Sequence, residues 1–175
     1  SGDIYVAGAI EDGKGKACIL LKFLSNLTFA WKVTLFGTPS SSVSLVLPKV
    51  VADSKRVYTV AFGVLPGGSG TDIILEARDD NGNMIGGSSW GWLPANSADI
   101  SFDIAIDRTS ANRDVYVAGA RALAGAVLLK FDNLGNLVWS GIWPGATFAK
   151  AIFPASGFIY IATEDDGFLL KVESP

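Results

Sequence analysis

The chain contains no histidine, one cysteine and one methionine among its 175 residues. The absence of histidine excludes Ser-His-Asp and Cys-His catalytic arrangements and every histidine-ligated metal site. Cys18 lies in an apolar run and has no second cysteine to pair with, so we interpret it as a buried, inert thiol. No glycine-rich loop precedes a predicted helix, which removes the usual phosphate-binding motif. We therefore predict no cofactor, no metal and no enzymatic activity.

Charge is also scarce, because charged residues make up 18% of the chain and the net charge is −3. Basic residues do not alternate with aromatic ones, so nucleic acid is not an expected partner. No apolar run approaches the roughly 20 residues of a membrane-spanning helix, and we predict no membrane span. Hydrophobic residues make up 49% of the chain. A composition with this much hydrophobic content is typical of repeat arrays, assembly subunits and proteins with an adhesive face.

A strand motif with tyrosine at its second position recurs along the chain. Its copies are Ile4–Gly8, Val57–Ala61, Val115–Gly119 and Ile159–Thr163. After each copy come a turn and an apolar strand, predicted at 18–23, 72–77, 126–131 and 167–172. Three of these apolar strands carry a lysine near their end, namely Lys22, Lys130 and Lys171. Two β-rich runs joined by a short polar turn predict a hairpin, and no helical periodicity competes with this interpretation.

Further strands complete the repeat. A strand ending in or near tryptophan follows in the first three copies, and another strand precedes the second, third and fourth tyrosines, at 43–51, 100–106 and 149–153. The sequence thus predicts fourteen strands in one all-β domain, built from repeated four-stranded antiparallel units at about 1–42, 43–98, 99–146 and 147–175. The first unit lacks its first strand, and the last unit lacks its fourth.

The pattern DVYVAG…AVLLKFDNLGNLVWS, best developed over 103–140, resembles the repeat of secreted bacterial and archaeal β-propeller proteins, the SBBP repeats. The resemblance is weaker over 2–35 and over 57–92. It implies four-stranded blades around an axis, hence a β-propeller-like fold of about four blades with incomplete end blades. It implies little about function.

Two incomplete end blades would leave backbone groups and apolar side chains unpaired. The ring could close with two short blades, the chain could be half of a larger propeller, or strands of neighbouring copies could complete the edges. Our preferred hypothesis is the last: an extracellular, self-assembling structural protein of the cell surface that forms a homo-oligomer or filament. The assembly edge would comprise Ile4, Tyr5, Val6, Leu169, Leu170 and Val172. The start at Ser1 indicates removal of a signal peptide or excision from a longer protein.

The alternative is a carbohydrate- or protein-binding propeller. Trp90 and Trp92 are two residues apart and would share one face of a strand, where they could stack on a glycan together with Trp143. Trp31 and Trp139 recur at one repeat position and are interpreted as core residues. The recurring lysines are interpreted as solvated edge charges that discourage aggregation. Asn26 begins an Asn-Leu-Thr sequon and is a predicted glycosylation site, consistent with a cell-surface location.

A third hypothesis is a hydrolase that uses carboxylate pairs, and the same acids could instead hold calcium. The acidic clusters are Glu11-Asp12, Asp79-Asp80, Asp107 with Asp114, and Glu164-Asp165-Asp166. All of them fall in or beside turn signals, where aspartate commonly caps backbone amides. The favoured interpretation of these acids is therefore structural.

Overall fold

The computed structural model describes residues 2–12, 15–35, 45–64, 70–91, 98–164 and 169–173. Within these ranges the chain forms fourteen β-strands and no helix, so no helix there has the length and hydropathy to cross a membrane. The strands are β1 (Ile4–Asp12), β2 (Gly15–Phe23), β3 (Phe29–Leu35), β4 (Leu45–Ala52), β5 (Arg56–Val64), β6 (Thr71–Asp79), β7 (Met84–Trp90), β8 (Asp99–Ile106), β9 (Val115–Arg121), β10 (Gly125–Phe131), β11 (Leu137–Trp143), β12 (Ala149–Ala155), β13 (Phe158–Thr163) and β14 (Leu169–Glu173).

The strands form four antiparallel sheets, each made of strands that follow one another in the sequence. The first sheet is β1-β2-β3, the second β4-β5-β6-β7, the third β8-β9-β10-β11 and the fourth β12-β13-β14. The all-β prediction with fourteen antiparallel strands is confirmed. The second unit, whose sequence diverges most from the others, keeps all four strands.

Aspartate-capped turns explain the hairpins β6–β7 and β10–β11. In the first of these turns Asp79 Oδ1 accepts hydrogen bonds from the backbone amides of Asn81 and Asn83, at 2.9 and 2.8 Å. Asp132 Oδ1 accepts the equivalent pair in the second turn, at 2.8 and 2.9 Å. A glycine completes each turn in the left-handed region, where a side chain would be strained. The structural interpretation of Asp79 is confirmed.

Each sheet has one face that carries its repeat tyrosine, called here the Tyr face, and an opposite face. Because side chains alternate across a strand, the two faces have separate sets of residues. Three core clusters form where the Tyr face of one sheet packs against the opposite face of the next. Leu20 and Val57 belong to the first cluster, Tyr58 and Val117 to the second, and Tyr116 and Ile161 to the third.

The extensive contacts between sheets follow the chain order. They join β1 to β4, β4 and β5 to β8, and β8 and β9 to β12. No pair of described strands from the first and fourth sheets makes a contact of comparable extent. The two inner sheets are therefore covered on both faces, whereas each terminal sheet is covered on one.

Candidate functional site

A polar cluster joins the first sheet to the second. The Tyr5 hydroxyl donates to Asp80 Oδ1 at 2.5 Å, and Lys22 Nζ donates to the same oxygen at 2.6 Å. Trp31 Nε1 donates to the Asp80 backbone oxygen at 3.1 Å. We call these four residues the Asp80 clamp. Three donors from one sheet thus converge on one turn residue of the next sheet.

Strand register places the three donors of the Asp80 clamp in a row. Tyr5 pairs with Lys22 across β1 and β2, and Lys22 pairs with Trp31 across β2 and β3. Residues directly opposite each other on adjacent strands project on the same face, so all three side chains lie on the Tyr face. Asp80 lies in the turn between β6 and β7 of the second sheet, facing this row of donors.

The Asp80 clamp is charged at neutral pH. Lys22 is only 4% exposed and lies 3.1 Å from Asp3 Oδ2 as well as beside Asp80. Burial lowers the pKa of Lys22, but hydrogen bonds to Asp80 and Asp3 outweigh burial and raise this pKa overall. Hydrogen bonds from Lys22 and Tyr5 lower the pKa of the Asp80 carboxyl. Burial, with the Asp80 hydrogen bond, raises the pKa of Tyr5 to about 12.

The prediction that the recurring lysines are solvated edge charges is wrong for Lys22 and Lys130. Lys130 Nζ lies 3.1 Å from Asp114 Oδ2, and both side chains are largely buried. The physical reason is that this repeat position lies on the Tyr face, inside the interface between two packed sheets. We call such an interface a joint. Lys171 is exposed, in agreement with the prediction, and its Nζ lies 3.7 Å from the centroid of the Phe158 ring.

The joint between the second and third sheets repeats this arrangement with a different acceptor. The Tyr58 hydroxyl donates to the Asn133 backbone oxygen at 3.0 Å, and Arg56 Nη1 donates to the same oxygen at 2.8 Å. Asn133 holds the second position of the β10–β11 turn, as Asp80 does in the β6–β7 turn. The repeat tyrosine of one sheet therefore binds the turn of the next sheet in both joints.

The turn between β2 and β3 has the same backbone geometry as these two turns. The Leu24 amide donates to the Thr28 carbonyl at 2.9 Å and the Leu27 amide to the Leu24 carbonyl at 2.8 Å. The other two turns contain the same two backbone hydrogen bonds. In the β6–β7 turn the Asp79 amide donates to the Asn83 carbonyl and the Gly82 amide to the Asp79 carbonyl. In the β10–β11 turn the Asp132 amide donates to the Asn136 carbonyl and the Gly135 amide to the Asp132 carbonyl. Leu27 also has a positive φ of 67°. Ser25 therefore occupies the position that Asp80 and Asn133 hold in their turns.

Each terminal sheet has an apolar face that the described residues leave exposed. On the opposite face of the first sheet, Ile4, Val6 and Phe29 are exposed, at 42%, 44% and 55%. On the Tyr face of the fourth sheet, Phe153 and Leu169 are 67% and 65% exposed. Exposed apolar surface on one sheet face typically marks an interaction site.

The predicted assembly residues divide between these faces and the core. Ile4, Val6 and Leu169 lie on the exposed faces. Tyr5 belongs to the Asp80 clamp, and Leu170 and Val172 pack against the third sheet. All six lie on β1 or β14, which are edge strands of their sheets within the described residues. Their role in assembly stays a prediction.

The predicted tryptophan platform is only partly described. Trp90 ends β7, is half-buried, and lies 4.2 Å from the Arg121 guanidinium, measured to the ring centroid. Trp143 ends β11, with its ring 6.1 Å from that of Trp139. Trp92 lies outside the described residues. Trp31 and Trp139 pack against core clusters, as expected from their repeat position. Glycan binding stays a prediction.

The other candidate residues lie in turns. Asn26 is exposed in the β2–β3 turn, where its Oδ1 accepts the Thr28 amide at 3.0 Å. Asp107 Oδ1 accepts the Thr109 amide at 2.9 Å, which confirms a capping role for this acid. Asp165 and Asp166 lie outside the described residues. Among the described residues, no three or more acidic or cysteine side chains are grouped as metal ligands would be.

Sequence reasoning missed Asp3 and Asp80 as the acids that pair with Lys22, and missed that Ser25 holds the turn position equivalent to Asp80. The recurrence of a lysine opposite each of three repeat tyrosines was a signal for a shared position, but it did not separate the buried Lys22 and Lys130 from the exposed Lys171. The position of the turn partner depends on how the sheets stack, and the sequence pattern carries no information about that. No protein-family model and no curated protein matches the chain significantly.

Proposed function

We propose that this protein is a non-enzymatic structural subunit that joins to copies of itself through its two terminal sheets. The supporting observation is the contrast between the inner and terminal sheets. The inner sheets have four strands and two covered faces, whereas the terminal sheets have three strands and one exposed apolar face each within the described residues. An extracellular location and a propeller-like arrangement of the sheets as blades belong to the same proposal.

The edge of β1 is suited to accept a strand of a neighbouring copy. β1 pairs with β2 over nine residue pairs without a register shift. The first strands of the other three sheets, β4, β8 and β12, each pair with the next strand through a register shift, and β4 and β12 also contain a proline. Bulges and prolines discourage strand addition, and β1 has neither. The proposal therefore includes completion of this edge by a neighbour.

A pair of glycines at one repeat position can test edge completion. A Cβ on Gly119 in β9 would collide with the carbonyl oxygen of Ile100 in the adjacent strand β8. Gly8 is the equivalent residue of β1, and a Cβ there meets nothing within 4 Å. Gly8→Ala should therefore leave the folded chain unchanged and obstruct any strand that pairs with β1 as β8 pairs with β9.

The experiment is light scattering of the purified chain over a range of concentrations, with negative-stain imaging of the same samples. The proposal predicts particles heavier than the 18.4 kDa chain, growing with concentration. A constant mass of one chain at millimolar concentration would refute it. If the β1 edge is the joint, Gly8→Ala reduces the particle mass while its far-UV circular dichroism matches that of the parent chain.

A further inference from the structure

The joints inside the chain supply a template for a joint between chains. In each of them the Tyr face of one sheet receives the opposite face of the following sheet. At the ends of the series two surfaces are left exposed: the Tyr face of the fourth sheet and the opposite face of the first sheet. These two surfaces are of the kinds that pair at every internal joint, so a second copy offers the matching half.

The residues that hold the turn at the first joint recur on the fourth sheet. Tyr160 and Lys171 are paired across β13 and β14, as Tyr5 and Lys22 are across β1 and β2. Phe153 is paired with Tyr160 from β12 and adds exposed apolar area beside them. The Tyr face of the fourth sheet therefore presents a hydroxyl, an ammonium group and apolar surface, as the Tyr face of the first sheet does.

The first sheet offers the acceptor. Its β2–β3 turn repeats the backbone hydrogen bonds of the turns that carry Asp80 and Asn133, with Ser25 at the equivalent position. In the second joint the acceptor is a backbone carbonyl alone, so a serine at this position can serve. Ile4, Val6 and Phe29 lie on the same face and would cover Phe153 and Leu169.

Resting on the proposed self-association, we propose that the first sheet of one copy docks on the Tyr face of the fourth sheet of the next copy. The carbonyl of Ser25 then accepts hydrogen bonds from Tyr160 and Lys171 of the neighbour. The contact is heterologous, because different surfaces meet, and it leads to a ring if the rotation closes or to a filament if it does not. Here the joint stacks two sheets, which distinguishes it from strand addition at the β1 edge.

A complementation experiment tests this joint directly. Lys171→Glu should weaken association about tenfold, since an attraction to the turn carbonyl is replaced by repulsion. Ser25→Lys should weaken it by a similar factor, because two ammonium groups then face each other. An equimolar mixture of the two variants should associate as the parent chain does, because each altered end meets a complementary one. A merely structural defect would not be repaired by mixing.

Ser25→Asp provides a gain of association. It introduces the carboxylate that Asp80 supplies at the first joint, and it should tighten association about three- to fivefold in low salt. High salt should remove the gain. Asn112→Asp, at an exposed residue between β8 and β9 of the third sheet and outside both docking faces, is the matched control for added charge and should not tighten association.

The outcomes separate this inference from the proposed function. Weakened single variants, a restored mixture and a tighter Ser25→Asp support the stacked joint. If the chain associates and none of these variants changes its affinity, the stacked joint is refuted and self-association stands; loss of association in Gly8→Ala then places the joint at the β1 edge. If the parent chain stays a single chain at every concentration, both the joint and the proposed function are refuted.

Discussion

Replacement of Asp80 by alanine tests the Asp80 clamp. The substitution removes the carboxylate that accepts from Tyr5 and Lys22 and leaves Lys22, 4% exposed, with Asp3 as its remaining acid. Removing one partner of a buried ion pair costs about 3–5 kcal/mol, whereas an exposed pair contributes at most about 1 kcal/mol. The Asp80 side chain is 46% exposed and Asp3 remains, so we expect a loss of about 2 kcal/mol.

The matched control is Asn133→Ala. Asn133 holds the same turn position in the next sheet, but it accepts from Tyr58 and Arg56 through its backbone carbonyl. Loss of its side chain should therefore cost less than about 0.5 kcal/mol. Urea unfolding at pH 7, followed by circular dichroism, measures both variants. With a slope of about 2 kcal/mol per molar, Asp80→Ala should lower the midpoint by about 1 M.

The pH dependence of the free energy of unfolding provides a second test of Asp80→Ala. The pKa of Asp80 is lowered from 3.8 in the folded chain, so its contribution is present above pH 3.8 and is lost as the pH falls through the lowered value. The difference between parent and Asp80→Ala should therefore shrink towards zero below that pH. Equal losses for Asp80→Ala and Asn133→Ala, or a difference that does not depend on acid pH, would refute the reasoning.

Three further predictions concern the core. Gly119→Ala should destabilise the fold by about 2 kcal/mol or more in urea unfolding because its Cβ meets the Ile100 carbonyl, whereas Gly8→Ala should be neutral; equal effects would contradict the pairing of β8 with β9. Cys18 is fully buried, and burial followed by the nearby Glu76 raises its pKa to about 11, so a thiol reagent at pH 8 should label it only after unfolding; rapid labelling of the folded chain would oppose this. Burial, followed by the hydrogen bond to Asp80, raises the pKa of Tyr5 from 10.0 to about 12, so Tyr5→Phe should remove absorbance change from the late part of an alkaline titration, where Tyr58 also ionises; removal of a tyrosine that ionises near pH 10 would contradict the raised pKa.

The strand pattern could be predicted well because it depends on local signals. Alternating apolar residues and the Asp-Asn turns identified the strands, and the missing first and last strands followed from counting the repeats. Ala149–Ala155 extends two residues beyond the predicted strand because Pro154 is tolerated at a sheet edge. Local signals therefore determine most of this architecture.

The joints between sheets could not be predicted in the same way. Asp80 is far from Tyr5 in the sequence, and its approach depends on how two sheets stack. Lys22 was misinterpreted because a lysine in an apolar strand looks like an edge charge until the facing turn is known. The glycines at 8 and 119 are identical in the sequence motif, and only the neighbouring strand makes one of them indispensable.

The central claim is that copies of this chain join through their terminal sheets. Light scattering over a hundredfold range of concentration, on the parent chain and on the mixture of Lys171→Glu with Ser25→Lys, tests it most directly. The account predicts that the parent and the mixture grow to multiples of 18.4 kDa over the same concentrations, while each variant alone needs about tenfold higher concentration to reach the same mass. A mass of 18.4 kDa for the parent chain throughout would contradict it.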